Sequence, residues 1–410
     1  RVSAIIKGNH LGRRPGVALR RKGMDNMGKW ITAFASAQRE MREGGGFAGR
    51  TARLRWTANL TGDTLRLRFA NASPDKPMRM GPVTVWSGKG SAEITFGGQP
   101  VLQLAPGSLA ESDEAFLPVK AGNTLTVLFH FPSDIFPPRS ASGAFPVERS
   151  APGDFTGKPD FAADPALWQI TEDIAAAWPL PALCGIDLFC GNEEAGAVAV
   201  LGDSITEMGF WTRPLEKYIQ DNFPGQRAFL NLGIAGNRLL LPTGGRMAEA
   251  GGNCFGDAGL TRLPRDILSI HELRAVYLAM GVNDITQPES GEMSPPLSER
   301  CTVETLAAGF SRVQHTLRDR GAKVYGCTVT PFGGMGGFCP ETLEMWEKFN
   351  GWLRRQAAAG DYDGLVDFAK VLEDPEKPGY MLPAYDSGDH LHAGPAGGAR
   401  MAEEAEKVLE

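Results

Sequence analysis

Between residues 28 and 130 apolar and polar positions alternate with a period of two, in short runs broken by turn formers. In Thr64-Leu65-Arg66-Leu67-Arg68-Phe69 an apolar side chain follows every basic or hydroxyl one, the pattern of a half-buried strand. Similar runs occupy 53–56, 83–86, 94–96, 101–104 and 125–129, and Gly62-Asp63, Ser73-Pro74-Asp75, Gly97-Gly98 and Pro106-Gly107 punctuate them. Many short strands with regular turn signals predict a β-sandwich or jelly roll. From residue 131 to about 160 Pro, Ser, Gly and Phe dominate, which reads as a linker or a long surface loop. Past residue 195 the rhythm changes. Apolar strands at 197–201, 228–232, 275–280, 323–328 and 364–368 alternate with amphipathic helical stretches near 213–221, 260–270, 303–320, 341–358 and 396–409. Five such βα units predict an α/β fold, a flavodoxin-like five-stranded parallel sheet flanked by helices. The expected division is a flexible basic extension at 1–26, a β-sandwich at 27–150, a connector at 151–194 and an α/β domain at 195–410.

Composition narrows the class. With 42% apolar and 22% charged residues in 410, the chain is not collagenous, disordered or a disulfide scaffold. The formal charge of -6 argues against nucleic acid as a partner. Seven of the 42 bases fall within residues 1–22, which hold no acid, so the remainder sets 35 bases against 48 acids, a balance of -13. Gly16-Val17-Ala18-Leu19 is too short an apolar run for a signal peptide, which makes the expected location cytoplasmic, or secreted if this N-terminus is not the native one. No stretch approaches the ~18 apolar residues of a membrane span. The six cysteines are scattered without a CxxC pair, so thiols are expected rather than disulfides, with Cys184 and Cys190 the pair to check. Gly44-Gly45-Gly46-Phe47-Ala48-Gly49 matches GxGxxG, but a strand-like run follows it where a dinucleotide fold needs a helix. No cofactor or metal is expected.

In an open parallel sheet the ligand sits beyond the carboxyl ends of the strands. Four polar or glycine-rich turns fall there: Gly202-Asp203-Ser204-Ile205, Gly233-Ile234-Ala235-Gly236-Asn237, Gly281-Val282-Asn283-Asp284 and Asp389-His390-Leu391-His392. Taken singly, each is an ordinary turn or helix cap. Together they fill every role of a serine hydrolase once. Ser204 is the candidate nucleophile, Asp389 and His392 the carboxylate and base, and the Ser204 and Gly236 N–H groups with the Asn283 amide the oxyanion donors. No GxSxG elbow is present.

Those four blocks, in that order, resemble the SGNH, or GDSL-type, hydrolase family, and over residues 195–410 the match is strong. The preceding strands and the run Tyr385-Asp386-Ser387-Gly388 suggest its two-domain members with an N-terminal β-domain. Ala393 stands where the last block of the family often carries Pro, and the family spacing selects His392 over His390 as the base. The resemblance implies a serine esterase acting on short acyl esters, with O-acetyl groups on carbohydrate as the expected substrate. Lipolytic, thioesterase or acyltransferase activity would use the same site. The rivals are metal-dependent hydrolysis through Asp389, His390 and His392, and a carbohydrate-binding protein with an idle hydrolase domain. Trp211, Arg213, Asn237, Arg238 and Phe332, just beyond the motifs, are the expected pocket-lining residues, and Gly333-Gly334-Met335-Gly336-Gly337 reads as a lip of the site. The expected partner is a small-molecule or oligosaccharide ester, and the β-domain leaves oligomerisation open.

Overall fold

A computed structural model describes residues 28–40, 46–133, 147–164, 180–288, 290, 291 and 294–409. The basic extension and the GxGxxG run at 44–49 lie wholly or partly outside them. Among the described residues, eleven strands precede residue 150: β1 (Lys29–Ala35), β2 (Arg50–Thr57), β3 (Gly62–Ala70), β4 (Met78–Met80), β5 (Val83–Ser87), β6 (Gly90–Ile94), β7 (Leu102–Leu104), β8 (Leu109–Glu111), β9 (Ala115–Val119), β10 (Thr124–Phe131) and β11 (Val147–Arg149). One sheet has the order β11-β2-β10-β5-β6, and β4 pairs with β7 apart from it. Alternation in β3 sends Leu65, Leu67 and Phe69 into the core, where Phe69 meets Phe129 edge-on, while Arg66 and Arg68 fall on the opposite face, where both are half-buried.

The other sheet corrects the expected connector at 151–194. Its order is β1-β12-β3-β8, with β9 also on β3, and β12 (Leu183–Cys190) lies inside that segment. This strand pairs antiparallel with β1 on one side and β3 on the other, so it is a middle strand. A charge at its centre hides it in the sequence: Asp187 is fully buried, accepting from Thr32 Oγ1 at 2.6 Å and pairing with Arg68 Nε at 3.2 Å. The edge strand β11 likewise occupies the stretch read as a loop. Cys184 and Cys190, on this same strand, are free thiols, as are the other four cysteines.

The α/β part has strands β13 (Gly196–Gly202), β14 (Arg227–Gly233), β15 (Leu273–Ala279), β16 (Lys323–Cys327) and β17 (Gly364–Val366), all parallel in the order β14-β13-β15-β16-β17. Helices α1 (Ser204–Glu207), α2 (Thr212–Asn222), α3 (Gly245–Gly251), α4 (Gly259–Asp266), α5 (Val282–Thr286), α6 (Val303–Arg318), α7 (Pro340–Ala358), α8 (Phe368–Leu372) and α9 (Pro395–Glu406) connect them. This is the expected sheet. Its strands are apolar on both faces because both faces are covered. Val198, Val200, Phe229 and Tyr277 pack with α2, α8 and α9. Ala199, Leu201, Leu230, Leu232 and Leu278 belong to a core that runs through α4, α6 and α7 and on into the β-sandwich, through Ile31 and Phe34 of β1. The two folds therefore share one hydrophobic core. A polar seam reinforces it: Thr32 Oγ1 accepts the His271 N–H at 3.0 Å, and Arg68 Nη1 donates to Ser269 Oγ at 3.2 Å. Among the described residues no helix is long and apolar enough to cross a membrane.

Candidate active site

Strand β13 ends at Gly202, Asp203 caps α1 by accepting the Ile205 N–H at 3.0 Å, and Ser204 is the first residue of that helix. The short helix lies so close on the end of β14 that a Cβ on Gly233 would stand 2.5 Å from the Glu207 nitrogen. Ser204 is 7% exposed, and its Oγ lies 2.8 Å from His392 Nε2. His392 Nδ1 lies 2.6 Å from Asp389 Oδ2, while Asp389 Oδ1 accepts the backbone N–H groups of Leu391 and His392 at 3.0 and 2.8 Å. Burial pushes the Asp389 carboxyl up, but the imidazole and those two N–H groups outweigh it and hold it well below the ordinary carboxylate range. The three residues thus form one hydrogen-bonded chain with the geometry needed to draw a proton off Ser204.

His390 is paired elsewhere. Its Nδ1 lies 2.6 Å from Asp386 Oδ2, its ring is about half exposed, and it flanks Gly334 of the glycine-rich lip. Asp389, His390 and His392 therefore do not converge on one point, each imidazole having its own carboxylate. The grouping of possible metal-ligand atoms found among the described residues is Glu111, Asp187 and His271. There Arg66 and Arg68 already neutralise the two carboxylates, at 2.9 and 3.2 Å.

The turn after β14 places Gly236 at φ +72°, where a Cβ would also strike the Phe255 ring at 2.4 Å. The turn after β15 uses Gly281 at φ +116° to start α5, which carries Asn283. Asn283 Nδ2 donates to the Asn237 carbonyl at 3.1 Å, leaving its second N–H for another acceptor. Gln287 ties the two turns together, its Nε2 reaching the Gly236 carbonyl at 2.7 Å and Asn283 Oδ1 at 3.3 Å. Three buried carboxyls surround the site. Burial pushes Asp203 up to about 7 and Asp284 up to about 6, the latter opposed by the N–H groups of Leu239 and Leu240. Glu207 is raised as well, by burial opposed by Arg39 and the Ala235 N–H.

Four of the five expected pocket-lining residues are interior struts. Trp211 is fully buried, edge-on to Phe368 and Tyr277, and Phe332 packs on Phe338. Asn237 spans the Phe255 and Asp257 carbonyls and accepts from Arg262 Nε. Arg238 pairs with Glu299 at 2.7 Å. Arg213 is an exposed residue of α2. Nearness to a motif in sequence carried no information about direction, because side chains after a strand end turn back under the sheet as often as they face the site. Gln287 and Glu207 lie outside the sequence motifs, although both follow motif residues at helical spacing, four after Asn283 and three after Ser204.

Residues 200–400 match the GDSL-like Lipase/Acylhydrolase family. No curated protein matches the chain. Among solved structures, the acetyl xylan esterase AlAXEase is 19% identical, covering 52% of this chain and 100% of its own, with a TM-score of 0.39. Axe2, an acetylxylan esterase from Geobacillus stearothermophilus, is 16% identical over 52% of this chain and 93% of its own, with a TM-score of 0.39. A GDSL-like lipase from Bacteroides thetaiotaomicron VPI-5482 is 17% identical over 52% and 87%, with a TM-score of 0.36. The chain carries at residues 200–400 a domain of the GDSL-like lipase/acylhydrolase family and is a carboxylic ester hydrolase.

Proposed function

We propose that the protein is a serine esterase that removes short acyl groups, O-acetyl groups on carbohydrate above all, through an acyl-enzyme on Ser204. The observation that carries this reading is the hydrogen-bonded chain Ser204 Oγ, His392, Asp389. Ser204 Oγ attacks the ester carbonyl while His392 Nε2 takes its proton, and Asp389 holds the imidazole by Nδ1 and stabilises its charged form. The tetrahedral oxyanion is bound by the N–H groups of Ser204 and Gly236 and by Asn283 Nδ2. His392 returns the proton to the leaving alcohol. It then activates a water that attacks the acyl-enzyme and releases the carboxylic acid.

One observation bears on the substrate class. The balance of -13 outside residues 1–22 disfavours anionic polymers and leaves neutral or acetyl-masked sugars. Hydrolysis of p-nitrophenyl esters of increasing acyl length, run beside acetylated oligosaccharides with Ser204→Ala as control, tests the reading. The acetyl ester is expected to give the highest kcat/KM and the oligosaccharides to release acetate. A kcat/KM that climbs with chain length, with no acetate released from the sugars, would overturn the acetyl assignment.

A further inference from the structure

Among the described residues, Arg39 carries the β-domain to the oxyanion turn. After β1 the segment 36–40 is fixed to β12, with Ser36 Oγ donating to the Leu183 carbonyl at 2.7 Å and Gln38 Nε2 to the same carbonyl at 3.2 Å. Its far end is tied to the α/β domain, where Arg265 Nη2 donates to the Gln38 carbonyl at 3.2 Å and Glu40 accepts the Asn253 N–H at 3.1 Å. Between these anchors Arg39 points inward, its side chain 14% exposed. Nη1 donates to the Ala235 carbonyl at 3.3 Å, and Nη2 lies 3.4 Å from Glu207 Oε1. Glu207 in turn accepts the Ala235 N–H through Oε2.

The Ala235 carbonyl and the Gly236 N–H belong to one planar peptide unit, in which O and H point to opposite sides. A guanidinium on that oxygen fixes the plane and so the direction in which the Gly236 N–H is aimed. It also polarises the amide, strengthening the N–H as a donor. The Gly236 carbonyl, in the next peptide unit, is held separately by Gln287. Both planes flanking Gly236 are therefore pinned, one from within the α/β domain and one from the β-domain. Glu207 is what keeps Arg39 in place, being buried, ion-paired with it and hydrogen-bonded to the adjoining N–H.

We infer that Arg39 is a positioning residue for ester hydrolysis, by which the β-domain orients and polarises the oxyanion-binding peptide of Gly236. The inference rests on the esterase reading above and assigns the β-domain a part in turnover that a mere substrate-binding appendage would not have.

The test measures kcat and KM for p-nitrophenyl acetate in wild type, Ser204→Ala, Arg39→Ala and Arg39→Lys, with and without guanidinium chloride at low millimolar concentration. A missing oxyanion donor typically costs about 10²–10³ in turnover, and a mis-aimed one costs part of that. Arg39→Ala is expected to lose about tenfold in kcat with KM within about twofold, and guanidinium to restore much of the loss. The solvent groove of about 330 Å³ that Arg39 lines gives the ion entry. Arg39→Lys, which keeps the charge but cannot span both oxygens, is expected to lose about threefold and to gain nothing from the ion. A kcat within twofold of wild type in a folded Arg39→Ala, or a loss that guanidinium does not repair, would overturn the inference. Should Arg39→Ala not fold, a wild-type kcat in Arg39→Lys overturns it alone. Wild type without Ser204-dependent hydrolysis would instead remove the esterase reading itself.

Discussion

The two halves of the site are built in opposite ways. Asp389 and His392 lie three residues apart in one loop, the Asp389 carboxylate accepting the His392 backbone N–H and meeting its ring Nδ1; both side chains are partly open to solvent, and His392 Nε2 makes the long-range contact to Ser204. The half proposed to bind the oxyanion draws on four distant segments, around Arg39, Glu207, Gly236 and Asn283, with Glu207 and Asn283 buried and Arg39 mostly so. Proton transfer needs a hydrogen-bonded chain whose members titrate, and a short loop makes one by itself. Binding an oxyanion needs donors that do not move when charge appears, and only a packed, cross-braced surround supplies that.

If the comparison holds, damage to the first half abolishes chemistry and damage to the second weakens it in steps. Ser204→Ala is expected to lower kcat for p-nitrophenyl acetate by about 10⁴-fold or more, with an unchanged far-UV circular dichroism spectrum. Next in size, Asn283→Ala should lose about 10²–10³ in kcat while remaining folded, measured in the same assay. Gln287→Ala removes the tie between the two oxyanion turns without removing a donor, so about a tenfold fall in kcat with little change in KM is expected. Asp386→Asn, which alters only the partner of His390, should leave kcat within about twofold. A loss comparable to that of Asn283→Ala would instead make His390 part of the machinery.

A pH series of urea unfolding probes the buried surround itself. An unfolded aspartate has an ordinary value of 3.8, and burial pushes Asp203 up to about 7 in the fold. Between those values the folded protein keeps a proton that the unfolded chain has released, so this group makes stability fall as pH rises across the window, and level off above it. Asp203→Asn keeps the capping oxygen and removes the titration. It should gain stability over wild type on going from pH 4 to pH 8, on the order of 3 kcal/mol. An identical pH slope in the two proteins would place the charge of Asp203 in a solvated site.

The same contrast decides what the sequence made legible. The parallel sheet was readable because its strands are unbroken apolar runs, and the four motif turns because each follows such a run directly. Asp389 and His392 were readable because their contact is local. Strand β12 was not, since buried Asp187 breaks its alternation and is satisfied only by Thr32 of β1 and Arg68 of β3. Trp211 and Phe332 sit beside motifs yet pack inward, because an aromatic next to a motif has no legible direction until the helix and sheet faces are fixed. Gln287 and Glu207 carried a usable signal in their helical spacing from Asn283 and Ser204. Arg39 carried none, because its partners lie 168 and 196 residues away.

The central claim is that Ser204 forms an acyl-enzyme, and rapid-quench peptide mass spectrometry after mixing with p-nitrophenyl acetate tests it most directly. The account predicts one acetyl group on the peptide that contains Ser204, appearing with the p-nitrophenol burst and absent in Ser204→Ala. Turnover with no acetyl on that peptide, or with the acetyl on another residue, would contradict it.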